Sequence, residues 1–166
     1  MGKIVSSAQL KKIISPKIKR QTVVLFCGTF DLFHYGHLLA FKRVRTLGDV
    51  LIVKVNGNKL AARRKGRGRP FLDERERVLT VSFLEFVDYV FISNIHSEDI
   101  RILKLVKPDI FVRPIQSEET DEDRTRREKA LLKKLPSMRI VWLEQTPGIS
   151  STKISEMVRE TKQFLQ

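Results

Sequence analysis

Two of the three histidines in this chain, His34 and His37, lie three residues apart around Gly36, just after the apolar run VVLFCG. Side chains at i and i+3 share one face of a helix. At a helix N-terminus the macrodipole and the free backbone N–H groups favour an anion. Two imidazole donors there suit the oxygens of a polyphosphate and the charge that develops when a phosphoryl or nucleotidyl group moves. Zinc ligation is the other chemistry open to a histidine pair, but no third ligand recurs at a fitting spacing. Gly28 permits a tight turn and close backbone approach after the strand. With Thr29 and Phe30 it offers N–H groups to phosphate. Asp31 either holds that turn by hydrogen bonding or faces a second substrate.

Two further stretches carry unusual chemistry. Residues 148–154 read GISSTKI. Hydroxyls at a helix start cap it, and Ser150, Ser151 and Thr152 together also make a phosphate cradle with Gly148 and Ile149. Residues 61–69, AARRKGRGR, read as a basic, glycine-punctuated loop. Such a loop either closes Lys65 over a polyphosphate or is a flexible surface for nucleic acid. Arg77, on the helix that follows, is within reach of the same phosphates. The single cysteine, Cys27, lies in an apolar run and reads as a small buried hydrophobe.

These groups need a scaffold that gathers them. Five short apolar, β-branched runs stand at 23–27, 50–55, 89–92, 109–112 and 139–143. Helical patterns lie between and after them, at 38–48, 74–86, 97–106 with Ser97 as N-cap, 120–135 and 150–165. Strand–helix alternation predicts an α/β fold: a Rossmann-like three-layer α/β/α sandwich on a five-stranded parallel sheet. Residues 1–21 read as an N-terminal extension with a short helix at Ser7–Ile14, and 22–166 as one domain. Ligands of such sheets bind at the carboxyl ends of the strands. That rule brings together Gly28 to His37, Asn56 to Arg69, and Gln145 to Thr152.

The 166 residues carry 32 Lys and Arg against 19 Asp and Glu, a net charge of +13. A positive surface attracts polyanions, from nucleotides to nucleic acid. Nucleic acid is therefore a rival partner, although no helix-turn-helix, zinc-finger or RNP pattern occurs. No apolar run reaches the ~20 residues of a membrane span. The N-terminus lacks the central apolar block of a secretory signal. A cytoplasmic protein without a membrane partner is expected.

GTFDLFHYGHL and GISSTKI, in this order and at this distance, resemble the signature pair of the cytidylyltransferase-like nucleotidyltransferases. That family carries a T/H-x-G-H motif after the first strand and an I-S-S/T-T-x-I motif at the last helix. RERVLTVSFLEFVDYVFI is similar to its R-x₃-L … V-D-x-V segment, with Arg77 at the arginine. The resemblance implies a phosphorylated acceptor attacking the α-phosphate of a nucleoside triphosphate in line. Pyrophosphate leaves, and magnesium accompanies the triphosphate. It implies that His34 and His37 bind phosphates and stabilise the transition state, and that Lys65 and Arg77 neutralise charge. Gly28, Thr29, Phe30, Gly36, Arg113, Gln145, Thr146, Gly148, Ile149, Ser150, Ser151 and Thr152 would hold the nucleotide. Asp31, Asn56 and Lys65 would face the acceptor. No protein nucleophile and no resident metal is required.

Within the family, KGRGRP (65–70) and KIVSSAQLKKII resemble the adenylyltransferase domain of ADP-heptose synthesis. GTFDLFHYGHL and QTPGISSTKI are similar to glycerol-3-phosphate cytidylyltransferase, and archaeal FAD synthetase belongs to the same group. ATP is favoured over CTP, with a sugar phosphate or another small phosphate monoester as acceptor; relatives are commonly homodimers. Three positions depart from the pattern. VRPIQSEET at 112–120 replaces a Gly-x-Asp that shapes the acceptor or base pocket, Gln145 replaces an arginine, and Asn58 replaces an acid. A regulatory protein on a retained fold is the alternative these departures keep open.

Overall fold

A computed structural model describes residues 1–14, 21–116 and 118–163. The elements, in chain order, are β1 (Lys3–Ile4), α1 (Ser7–Ile14), β2 (Val23–Gly28), α2 (Tyr35–Arg45), β3 (Val50–Asn56), α3 (Asn58–Lys65) and α4 (Glu74–Ser82). They continue with β4 (Tyr89–Ser93), α5 (Ile100–Val106), β5 (Ile110–Pro114), α6 (Asp121–Leu132), β6 (Arg139–Leu143) and α7 (Ser151–Gln163). The strands form one sheet in the order β1-β4-β3-β2-β5-β6, and every pair is parallel.

The near-continuous apolar strands follow from burial on both faces. Val23, Leu25 and Cys27 of β2 pack with Leu10, Ile102, Leu103, Val106 and Leu131, so α1, α5 and α6 cover one face. Val24 and Phe26 pack with Phe41, Val44, Val78 and Val81, so α2 and α4 cover the other. Carboxylates pin the strand starts in register: Asp49 accepts from the Thr22 N–H at 2.7 Å, Asp109 from Val23 at 2.8 Å and Asp88 from Leu51 at 2.7 Å.

Three expectations need correction. The sheet has six strands, because residues 3 and 4 extend the β4 edge. Two residues are too short to show a period of two in sequence. The basic run is helical up to Lys65, with Leu60 and Ala61 buried; only from Gly66 onward does it leave the helix. Asp99, not Ser97, caps α5, accepting from Arg101 N–H at 2.9 Å. The short N-terminal helix spans Ser7–Ile14, with Leu10 buried. The junction expected near residue 21 abuts residues 15–20, and the end of the last helix falls at 164–165; both stretches lie outside the described residues. Among the described residues, no helix is long and apolar enough to cross a membrane.

β2 lies between β3 and β5. The chain leaves β2 toward β3 and β4, then returns to the other side as β5. The crevice at this reversal, outside the carboxyl ends of β2 and β5, is where open α/β sheets bind ligands.

Candidate active site

The turn after β2 is built under strain. Phe30 and Leu32 adopt positive φ, 54° and 49°, a conformation that costs a non-glycine residue roughly 1–3 kcal/mol and persists only where its surroundings enforce it. Several bonds enforce it. Arg77 Nη1 donates to the Thr29 carbonyl at 2.7 Å, and Ser151 Oγ donates to the Asp31 carbonyl at 2.6 Å. The buried Asp31 carboxylate accepts from Arg69 Nε at 2.9 Å and from the Phe71 and Leu72 N–H groups at 3.0 and 3.1 Å. Gly28 is needed for space: a Cβ there would stand 2.5 Å from Phe30 Cζ.

His34 is the N-cap of α2, and His37 lies in its first turn. Their rings stack with centroids 3.9 Å apart. The His34 N–H donates to His37 Nδ1 at 3.3 Å. That bond assigns the His37 proton to Nε2, leaving Nε2–H as a donor. Phe33 stacks on His37 at 5.2 Å and Phe30 meets it edge-on at 5.6 Å. This burial, aided by His34 and Lys65 and opposed by Asp31, pushes the His37 pKa down to about 3. Burial lowers that of His34 as well. Both rings are therefore neutral donors near neutral pH. A Cβ at Gly36 would stand 2.9 Å from Ile149 Cγ2 and 3.0 Å from His34 Cε1, so the glycine lets the loop before α7 close on the histidine pair.

The cavity at this point measures about 230 Å³. Its cations divide into two groups, with the neighbouring Arg64 and Lys65 at the C-terminal end of α3 contributing to both. Lys65 acts on His37, near Asp31 and Arg69. Burial first, then Arg64, Arg113, Lys54 and Arg127, lower the pKa of His96. Arg113 is buried, with Glu98 and Glu119 as ion-pair partners. Glu119 also pairs with Arg127 Nη1 at 3.0 Å, so one carboxylate holds two arginines on the same wall. The Arg113 guanidinium lies 5.4 Å over the Trp142 ring. Cys27 sits beside this group as an inert thiol, its pKa pushed up to about 12 by burial.

Of the residues read from the sequence, fourteen line the cavity: Gly28, Thr29, Phe30, Asp31, His34, Gly36, His37, Lys65, Arg113, Gln145, Thr146, Ile149, Ser150 and Ser151. Four do not. Arg77 is fully buried behind the turn, with its guanidinium bound to the Leu72, Thr29 and Asn56 carbonyls and to Asn58 Oδ1. Asn56 is buried, accepting from Lys54 Nζ at 2.7 Å and donating to Thr29 Oγ1 at 3.0 Å. Gly148 and Thr152 are exposed outside the lining. The three hydroxyls thus part company: Ser150 accepts from Lys153 N–H as a cap, Ser151 ties α7 to the turn, and Thr152 faces solvent.

The sequence reading missed Arg64, His96, Ser97 and Arg127, all of which line the cavity. Arg64 stood inside the flagged basic run. Arg127 carried no signal toward this cavity, because only the packing of α6 on the sheet turns it toward β5. Asp31 lines the cavity, but its carboxylate is taken up by the 69–72 segment.

A family described as cytidylyltransferase-like matches residues 25–157. Among curated proteins, the "bifunctional protein HldE" of Campylobacter concisus is 37% identical over 111 residues, covering 67% of this chain and 23% of its own length. That of Helicobacter hepaticus is 36% identical over 112 residues, with 68% and 23% covered. The matched part is about a quarter of these relatives' length. Among solved structures, the lipopolysaccharide core biosynthesis protein from Thermoplasma volcanium superposes with a TM-score of 0.63 at 28% identity, covering 76% of this chain and 98% of that one. Pantoate-beta-alanine ligase from Francisella tularensis, complexed with β,γ-ATP and β-alanine, has a TM-score of 0.63 at 17% identity. It covers 93% of this chain and 76% of its own, a likeness of fold alone.

Proposed function

The chain belongs to the cytidylyltransferase-like family, and on that premise we propose that it transfers AMP from ATP to a small phosphorylated acceptor, a sugar phosphate, with release of pyrophosphate. One observation carries this reading: two stacked neutral imidazoles at the head of α2, with His37 Nε2–H as a donor beside Lys65. An acceptor phosphate oxygen forms a bond to the α-phosphorus as the bond to the bridging oxygen breaks. The phosphate is itself the nucleophile, so no protein base is needed. The imidazoles, Lys65 and the turn N–H groups meet the charge on the triphosphate, and catalysis is positioning plus electrostatics. Magnesium enters on the triphosphate as part of the substrate and neutralises its charge. Among the described residues, no group of three His, Cys, Asp or Glu is built to hold an ion.

The reaction brings two phosphate-bearing substrates together, and the cavity has two cationic groups. The histidine–Lys65 group takes the triphosphate. The Arg64–Arg113–Arg127 group takes the acceptor phosphate. Arg113, read from the sequence as a nucleotide contact, is assigned here to the acceptor because Glu119 pairs it with Arg127. The HldE relatives and the run at 65–70 favour ATP and a sugar phosphate.

The test is pyrophosphate release with magnesium, crossing ATP, CTP, GTP and UTP with heptose 1-phosphate, glycerol 3-phosphate, FMN and phosphocholine. Release with ATP and a sugar phosphate, abolished in a folded His37→Ala variant, is expected. Intact turnover in that variant overturns the mechanism, and release with CTP alone overturns the choice of base.

A further inference from the structure

Lys54 sits in the middle of β3, opposite Cys27 in the parallel register, with none of its surface exposed. A buried ammonium is costly without a counter-charge. Among the described residues, Lys54 forms no ion pair, and its ammonium makes one hydrogen bond, from Nζ to Asn56 Oδ1 at 2.7 Å. An apolar side chain would suit the position better, as at its neighbours Val53 and Val55.

The bond has a directional consequence. An ammonium only donates, so it holds the Asn56 amide with Oδ1 toward Lys54 and Nδ2 the other way. Nδ2 donates to Thr29 Oγ1 at 3.0 Å. Thr29 Oγ1 therefore receives a proton from the protein side and keeps its own O–H for another acceptor. Thr29 lines the cavity. Its backbone cannot swing away, because Arg77 Nη1 binds the carbonyls of both Thr29 and Asn56, at 2.7 and 2.8 Å.

We infer that Lys54 is a positioning residue: through Asn56 it sets the Thr29 hydroxyl as a proton donor to a phosphate oxygen of the bound nucleotide. This rests on the nucleotide-binding reading above. Nothing in the sequence pattern of the family motifs assigns Lys54 a role, and it does not itself line the cavity. Its charge polarises the chain of bonds, which strengthens each donor in turn.

The sharpest test is Asn56→Asp. This isosteric change supplies Lys54 with a carboxylate but only acceptors toward Thr29, so the hydroxyl must turn its proton inward. Binding of magnesium–ATP is measured by calorimetry for the parent, Asn56→Asp, Thr29→Val, the double variant and Lys54→Met, with thermal melting alongside. Asn56→Asp should melt no lower than the parent yet bind ATP about tenfold more weakly, the loss of one charge-supported hydrogen bond. Thr29→Val should lose as much, and the double variant no more than either single. Lys54→Met should weaken binding in the parent and have no effect in Thr29→Val. Parental affinity in Asn56→Asp, or losses that multiply in the double variant, overturn the inference and leave the nucleotide site standing. Coupled losses without turnover on any acceptor leave the inference intact and overturn the acceptor assignment. A parent protein that binds no nucleotide overturns both.

Discussion

Arg77 offers the clearest separation between a residue that touches ligand and one that builds the site. Its guanidinium makes four hydrogen bonds of 2.7–3.0 Å, three to backbone carbonyls and one to Asn58. Arg77→Met keeps the apolar stem and removes every donor. Stranding one buried acceptor costs about 1–3 kcal/mol. The Asn56 carbonyl, whose bond to Arg77 is buried, is the one least able to find water, and losing a buried charge recovers part of its desolvation. The net loss is about 3–5 kcal/mol, the scale seen when a buried ionic network is broken. A domain of this size loses roughly 2–4 °C in melting temperature per kcal/mol, so Tm should fall by roughly 6–20 °C. Arg77→Lys should recover little, since one nitrogen cannot span four acceptors. The contrasting variant is Arg64→Met, exposed and on the cavity wall, which should lose turnover at unchanged Tm. Calorimetric melting and pyrophosphate release at 25 °C read both. An Arg77→Met protein that melts within about 2 °C of the parent but is inactive would refute the structural role and return Arg77 to the phosphates.

Three other outcomes are expected. His37 is neutral in the fold down to about pH 3 against an ordinary 6.5, so only the unfolded chain binds that proton in between. Its contribution to stability is complete above 6.5 and is lost as pH falls toward 3. Melting curves of His37→Asn should therefore fall less steeply with acid than the parent's; parallel curves would contradict the buried neutral ring. Arg127→Gln should raise KM for the acceptor by about tenfold or more with KM for ATP unchanged, the loss of one charged hydrogen-bond donor; a rise for ATP instead would exchange the two phosphate stations. Gly36→Ala should change stability by no more than about 1 kcal/mol but cut turnover, because its Cβ would press on Ile149 and His34; full activity would show that the pair does not need this close packing.

Much of the scaffold was legible because strands buried on both faces leave continuous apolar runs and helices with one apolar side leave periodic ones. The five main strands could be read in this way, and the strand-end rule then placed His34 and His37; the periodic pattern at 38–48 began three residues late, since α2 starts at Tyr35. β1 could not, since two residues carry no period. α3 could not either: its basic, polar surface hides the two buried positions, Leu60 and Ala61, that hold it to the domain.

The sequence by itself determined that a glycine-bounded histidine pair would stand at the carboxyl end of a parallel sheet, facing the hydroxyl-rich start of the last helix. Those facts depend on residue type and local spacing. The tertiary structure alone decided what each charge is for. Arg77 and Asn56 turn inward because the turn after β2 needs partners for its carbonyls and for Thr29. Arg113 and Arg127, on β5 and α6, meet because one carboxylate, Glu119, lies between them. Lys54 looks like an error in an apolar strand until its neighbour Asn56 shows where its proton points. Whether a charged side chain faces a ligand or a carbonyl depends on which distant backbone arrives beside it, and local spacing carries no record of that.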